Sequence, residues 1–239
     1  MANFKTHITF SSLLGAGYGG AAWWFFDVPV PTCVLAGGLC GVSGMLPDID
    51  SGPGKPLRES TAFAAAVVPM MMIDRLRQFG LCNEWIILIG AATYLFIRFV
   101  LGSMLKRYTV HRGMFHSIPA AIIFAEVAFL LASGEDLYLR LYKAGGVFAG
   151  YMAHLLLDEL YSIEWKRGRL RLKQSFGTAI KLFGRGWWPN ISTFAKLAVL
   201  TYIALKEPGW MQQHYREKIV PTVQHTANNV NDAVDRLVR

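Results

Sequence analysis

His111-Arg112-Gly113-Met114-Phe115-His116-Ser117 sets two imidazoles and a guanidinium in a short polar gap between two long apolar runs, from about Glu84 to Leu105 and from about Ser117 to Ala132. A run of roughly 20 mainly apolar residues is long enough to cross a bilayer as a helix. The gap therefore reads as a turn between two spans. Histidine is costly where water is scarce, and neutral imidazole is a favoured donor for zinc and its neighbours. The question is whether other ligand-type residues reach the same place.

Working outward, 53% of the 239 residues are hydrophobic and only 17% are charged, against about a quarter charged in a soluble domain. Once in lipid, the backbone must satisfy its own hydrogen bonds, which favours helices; strand alternation of the barrel kind is absent. The expected fold is all-α, a polytopic transmembrane bundle of about six to seven membrane helices. They are placed near Ile8 to Phe26, Val30 to Leu46, Ser60 to Ile73, Glu84 to Leu105, Ser117 to Ala132, Tyr138 to Leu160 and Ile191 to Leu205. Pro47 to Pro56 reads as an irregular loop. The domain expectation is a membrane domain over 1–165, a basic interfacial segment over 166–190, a further membrane helix over 191–207 and a polar amphipathic tail helix over 208–239. In that tail Val220, Val223, Ala227, Val230, Val234 and Leu237 recur by three and four. The seam suits either a surface helix or a homo-oligomer contact. Cys33, Cys40 and Cys82 form no CxxC pair and leave the redox compartment open.

The distribution of Lys and Arg sets the orientation. With the N-terminus in the cytoplasm, the inner segments collect Lys5, Lys55, Arg58, Lys106, Arg107, Arg112 and the basic run from Lys166 to Arg185. The outer loops keep Arg75, Arg77, Arg140 and Lys143. That assignment, made from cations alone, puts His7, Asp48, Asp50, His111, His116, His154 and Asp158 at one face. His154 and Asp158 are four apart and share a helix face; Asp48 and Asp50 offer hard oxygen donors from a loop. Each piece also has a plain reading: an interfacial histidine, a Pro-Asp turn, a helix-to-helix hydrogen bond. Four histidines and three aspartates suit one or two divalent ions, zinc first, with manganese or iron as alternatives. Arg98 and Glu126, at similar depth on consecutive helices, are expected to pair.

Thr6 to Gly17 (THITFSSLLGAG), Leu46 to Ser51 (LPDIDS), His111 to Ser117 and His154 to Leu160 (HLLLDEL) resemble the YdjM-like family of membrane-bound, metal-dependent hydrolases. The resemblance covers roughly the first 165 residues, in the family's motif order. It implies that the same four histidines and three aspartates form the metal-site set.

The expected function is metal-dependent hydrolysis of an anionic, amphiphilic, lipid phosphoester-like substrate at the cytoplasmic surface of a membrane of the bacterial inner-membrane type. Asp50 or Glu159 is the candidate general base, and Arg112 the candidate grip on an anionic group. The alternatives are a metal-binding membrane protein without catalysis, a transporter, or a scaffold. Membrane lipids are the expected partners, because anionic headgroups lie closer to the basic run than any nucleic acid does. Gly52 to Pro56 lacks the spacing of a phosphate loop, and the glycosylation-type triplet Asn190-Ile191-Ser192 falls on the cytoplasmic side.

Overall fold

The structure, a computed structural model, describes residues 3–50, 54–104, 114–132, 134, 136–166, 169–172, 177, 180–184 and 186–207. The tail seam, His111 and Arg112 lie outside the described residues, as do parts of the basic segment. Among the described residues seven α-helices form the body.

Helix α1 spans Phe4–Phe26 and begins a turn before the apolar run does. Asn3 starts it: its Oδ1 accepts from the Thr6 N–H at 2.8 Å, satisfying one of the orphan amides of the first turn. His7 is therefore helical. Helix α2, Val30–Ser43, stops at Gly44, and Leu46–Asp50 winds as a 3₁₀ turn. Helix α3 then runs Lys55–Gln78, with Pro56 in its first turn. The expectation of an irregular Pro47 to Pro56 loop was too broad. A first-turn proline has no intrahelical amide bond to lose, and its fixed φ suits a helix start. The expected third helix, Ser60 to Ile73, was correspondingly too short.

Helix α4, Asn83–Met104, is long and apolar enough to cross a membrane by length and composition. Its stretch Phe96–Leu101 has the wider π winding. Only 11% of its most apolar window is buried in the protein, leaving Trp85, Ile87, Leu88 and Phe99 exposed. Helix α5, Ile118–Leu131, is capped by Ser117 Oγ, which accepts from the Ala120 N–H at 3.3 Å. Helix α6, Leu137–Leu160, is capped by Asp136.

Two short strands, β1 (Ile163–Lys166) and β2 (Arg169–Leu172), pair antiparallel with Ile163 opposite Leu172. A hairpin that the sequence reading lacked thus leads from the end of α6 into the basic segment. Its apolar and basic residues alternate with the period of two that a strand requires. Helix α7, Trp187–Leu205, completes the body.

Helix α6 is central, packing on α1, α2 and α5. Tyr151 and Leu155 are fully buried against Ala120 and Ala121 of α5. Glycines set the closest approaches. A Cβ on Gly150 would stand 1.9 Å from the Cys40 carbonyl oxygen, and one on Gly15 would stand 2.2 Å from that of Gly37. Small residues at helix contacts let backbones meet in this way.

At the end of the bundle away from His7 and His154, an ionic knot closes four helix ends, those of α3, α5, α6 and α7. Arg75 Nη1 meets Glu207 Oε1 at 2.5 Å, and Arg140 Nη2 meets the same oxygen at 3.5 Å. Arg140 also donates to the carbonyls of Ala132 (2.7 Å) and Phe129 (3.2 Å), and Arg75 to that of Leu130 (2.9 Å). The two arginines satisfy carbonyls that the end of α5 leaves without helical partners.

The expected Arg98–Glu126 pair is replaced by another contact. Glu126 Oε1 accepts from Thr201 Oγ1 of α7 at 2.5 Å. Helix α5 packs on α6 and α7, while α4 packs on α3, so the consecutive helices α4 and α5 are not packed on each other.

Candidate metal centre

Four segments bring five of the seven sequence-predicted donors together: His7 from the first turns of α1, Asp48 from the 3₁₀ turn, His116 from the turn before α5, and His154 with Asp158 from the last turns of α6. His7, His116, His154 and Asp158 are buried. Asp48 is the most open member, with 20% of its side chain exposed.

The ring of His154 fixes the geometry. Its Nδ1 lies 2.7 Å from the Gly44 carbonyl oxygen, which can only accept, so Nδ1 carries the proton and donates. In the neutral ring Nε2 then presents a lone pair. That atom is buried with no hydrogen-bond partner among the described residues, and it faces Asp48 Oδ1 and Asp158 Oδ2, each at 3.7 Å. Three acceptors share one small volume, an arrangement that a cation satisfies.

His116 Nε2 extends the set, 3.5 Å from the same Asp48 oxygen and 3.9 Å from the same Asp158 oxygen. Four donor atoms from four residues are thus separated by 3.5–3.9 Å wherever a carboxylate faces an imidazole. Zinc–nitrogen bonds of 2.0–2.1 Å imply tetrahedral edges of about 3.3 Å, and these four carboxylate–imidazole edges are each somewhat longer. His7 takes the other side of Asp158, with Nε2 3.2 Å from Oδ1. Its ring stacks on His154 with centroids 3.7 Å apart and planes 13° from parallel. Burial opposes ionisation of Asp48. The His116 contact and the neighbouring His154, His116 and His7 rings outweigh it and hold the carboxyl below its ordinary value.

The other predicted residues stand differently. Asp50 closes the 3₁₀ turn, and its side chain is outside what the structure describes, as are His111 and Arg112 altogether. Glu159, a candidate base, is turned away from the donor set: its Oε1 accepts from the Gly177 N–H. It follows Asp158 by one residue, and one residue is about 100° around a helix. Sequence reasoning missed the supporting groups. The Gly44 carbonyl is a backbone atom with no signature. Ser11 Oγ, which donates to the Gly41 carbonyl at 2.7 Å and ties α1 to α2 beside His7, could have been suspected from its place one turn after that histidine. Tyr151 donates its hydroxyl to the Phe115 carbonyl, steadying the turn that carries His116.

A family model described as "YdjM inner membrane protein" matches residues 1–204. The chain belongs to that family. The match runs through nearly all of α7, beyond the first 165 residues on which the motif resemblance rests. Comparison with curated proteins and with solved structures gave no match.

Proposed function

We propose that this member of the YdjM inner membrane protein family is a membrane-embedded, metal-dependent hydrolase acting on an anionic amphiphile, a lipid phosphoester in kind, at the cytoplasmic face. The observation that carries the reading is the His154 Nε2 lone pair, facing two carboxylate oxygens at 3.7 Å with no hydrogen-bond partner among the described residues. Asp48, His116, His154 and Asp158 would hold the ion, and His7 would brace Asp158 or serve a second one. A divalent ion there, zinc first with manganese or iron as alternatives, would supply Lewis acidity and a bound water of lowered pKa.

The protein's own groups do the rest. Gly44 holds the His154 tautomer, Tyr151 steadies the His116 turn, and Asp48 faces the side from which solvent and substrate arrive. Asp50 and Arg112 keep their proposed roles as base and anion grip; Glu159, engaged with Gly177, is the weaker candidate for base. The topology that fits is multi-pass with the N-terminus inside, because helix ends alternate and the donors share the end that carries most cations. The exposed apolar face of α4 supports a lipid surround.

The deep burial of His7, His116, His154 and Asp158 equally suits a metal-binding protein without turnover, or a transporter. Elemental analysis of purified wild type beside His154→Ala, joined to phosphoester turnover by wild type and His116→Ala, separates these. Bound metal with turnover, both lost on substitution while the fold persists, supports hydrolysis. Bound metal without turnover of any phosphoester supports the second reading, and a metal-free wild type after growth in metal-replete medium refutes both.

A further inference from the structure

A groove of about 670 Å³ runs along the outer side of the α1–α2 hairpin, between Ile8, Ala16 and Trp23 of α1 and Val34 and Gly38 of α2, with Phe63 of α3 on its flank. Its volume falls in the range of small-molecule sites, about 300–1,000 Å³, and no charged residue lines it. From Ile8 to Trp23 it extends about 22 Å at the helical rise, most of the roughly 30 Å of a bilayer's hydrocarbon.

Two features distinguish it from an ordinary lipid-facing surface. The first is its glycines. Gly15, Gly19 and Gly37 are required by this chain's own packing, since a Cβ on any of them would come within 2.8 Å of a neighbouring carbonyl oxygen. Gly20 and Gly38 also line the groove, yet a Cβ on either would meet nothing within 4 Å. Glycine is less favourable than alanine in a helix interior, and no described neighbour needs the space at either position. Lining the groove, they leave room for something outside the chain.

The second is where the groove ends. Ile8 follows His7, and Val42 lies two residues before Gly44, the acceptor of the His154 ring. One end of the groove is thus level with the donor cluster, and the other reaches the far end of the hairpin. A molecule lying in it has its apolar part along α1 and α2 and its polar end at the level of the donors.

We propose that the α1–α2 groove receives one acyl chain of a membrane phospholipid, whose headgroup is thereby presented to the metal-donor cluster. The inference rests on the proposed site and names the class of molecule that reaches it. An acyl chain fits the uncharged, continuous lining and, unlike a docked helix, carries a headgroup to the donor end.

The test is photo-crosslinking of the full chain in vesicles doped with a phospholipid that carries a diazirine in its acyl chain, with labelled positions mapped by peptide mass spectrometry. Label concentrated on residues 8–23 and 30–42, at least five-fold above the exposed face of α4, is the expected result. Gly20→Leu and Gly38→Leu, each of which sets a side chain in the groove from a Cβ with no neighbour within 4 Å, should reduce that label five-fold or more while bound metal and elution volume stay at wild-type values. Equal labelling of the groove and of α4, or label unchanged in both variants, overturns the proposal. So does efficient disulfide formation between copies of Gly38→Cys, which would assign the groove to a second chain. Labelling is scored without turnover, so a protein that labels in the groove but hydrolyses nothing refutes the hydrolase reading alone.

Discussion

His7 and His154 stack face to face, ring centroids 3.7 Å apart, though 146 residues separate them in the chain. Their roles differ: of the two three-donor groups whose ligand atoms lie close enough to share an ion, His7–His154–Asp158 and Asp48–His116–His154, His154 belongs to both and His7 to one. His154→Ala should therefore abolish bound metal. His7→Ala should keep Asp48, His116, His154 and Asp158 in place and retain the ion with affinity reduced roughly 10–100-fold, the effect of losing a supporting group. Metal titration of the purified proteins measures both. Equal loss from the two variants would contradict the assignment.

Acid should release the ion. Metal binding requires deprotonated ligands, so affinity falls as pH falls. The Asp48 carboxyl is held below its ordinary value and stays available to an ion until pH falls below the usual carboxylate range, about 4. Metal retention should decline as pH falls and be lost completely once that carboxyl is protonated, by dialysis and elemental analysis. In the metal-free protein, Asp48 has a depressed folded-state pKa. Its contribution to stability is present above the ordinary carboxylate value and disappears only as pH falls through the lower, folded one.

Gly150→Ala should damage fold and site together. The new methyl would stand 1.9 Å from the Cys40 carbonyl oxygen and 2.2 Å from Ser43 Oγ, so α2 must move off α6. That displacement separates Gly44 from His154. A loss of about 3 kcal/mol, at the upper end for overpacked cores, should accompany weaker metal binding. Gly17→Ala, where nothing lies within 4 Å, should be neutral or stabilising by up to about 1 kcal/mol. Thermal unfolding in detergent compares them.

Glu207→Gln should destabilise without touching the metal. It removes the shared partner of Arg75 and of the buried Arg140. Breaking a buried ion pair from one side costs about 3–5 kcal/mol. The knot lies at the opposite end of the bundle, so metal content per folded molecule should match wild type.

The site was more legible in the sequence than the packing was. Lys and Arg report which helix ends share a face, because they stay where water and headgroups are, and that placed His7, Asp48, His116, His154 and Asp158 together before any contact was known. Contacts between helices leave weaker traces. Nothing in the sequence around Glu126 says that Thr201 rather than Arg98 faces it, since neighbours in a bundle need not be neighbours in the chain. The start of α1 depended on one Asn3 cap, and the extent of α3 on prolines tolerated at a helix start. The Gly44 carbonyl was beyond reach of any residue-type argument.

The spread of donors along the chain bears on biogenesis. Both three-donor groups need His154, so a nascent chain halted anywhere before that residue holds no complete ligand set, however well its first helices have inserted. An ion held there could be loaded only after α5 and α6 have assembled, and it would fasten the first helix of the polypeptide to its sixth.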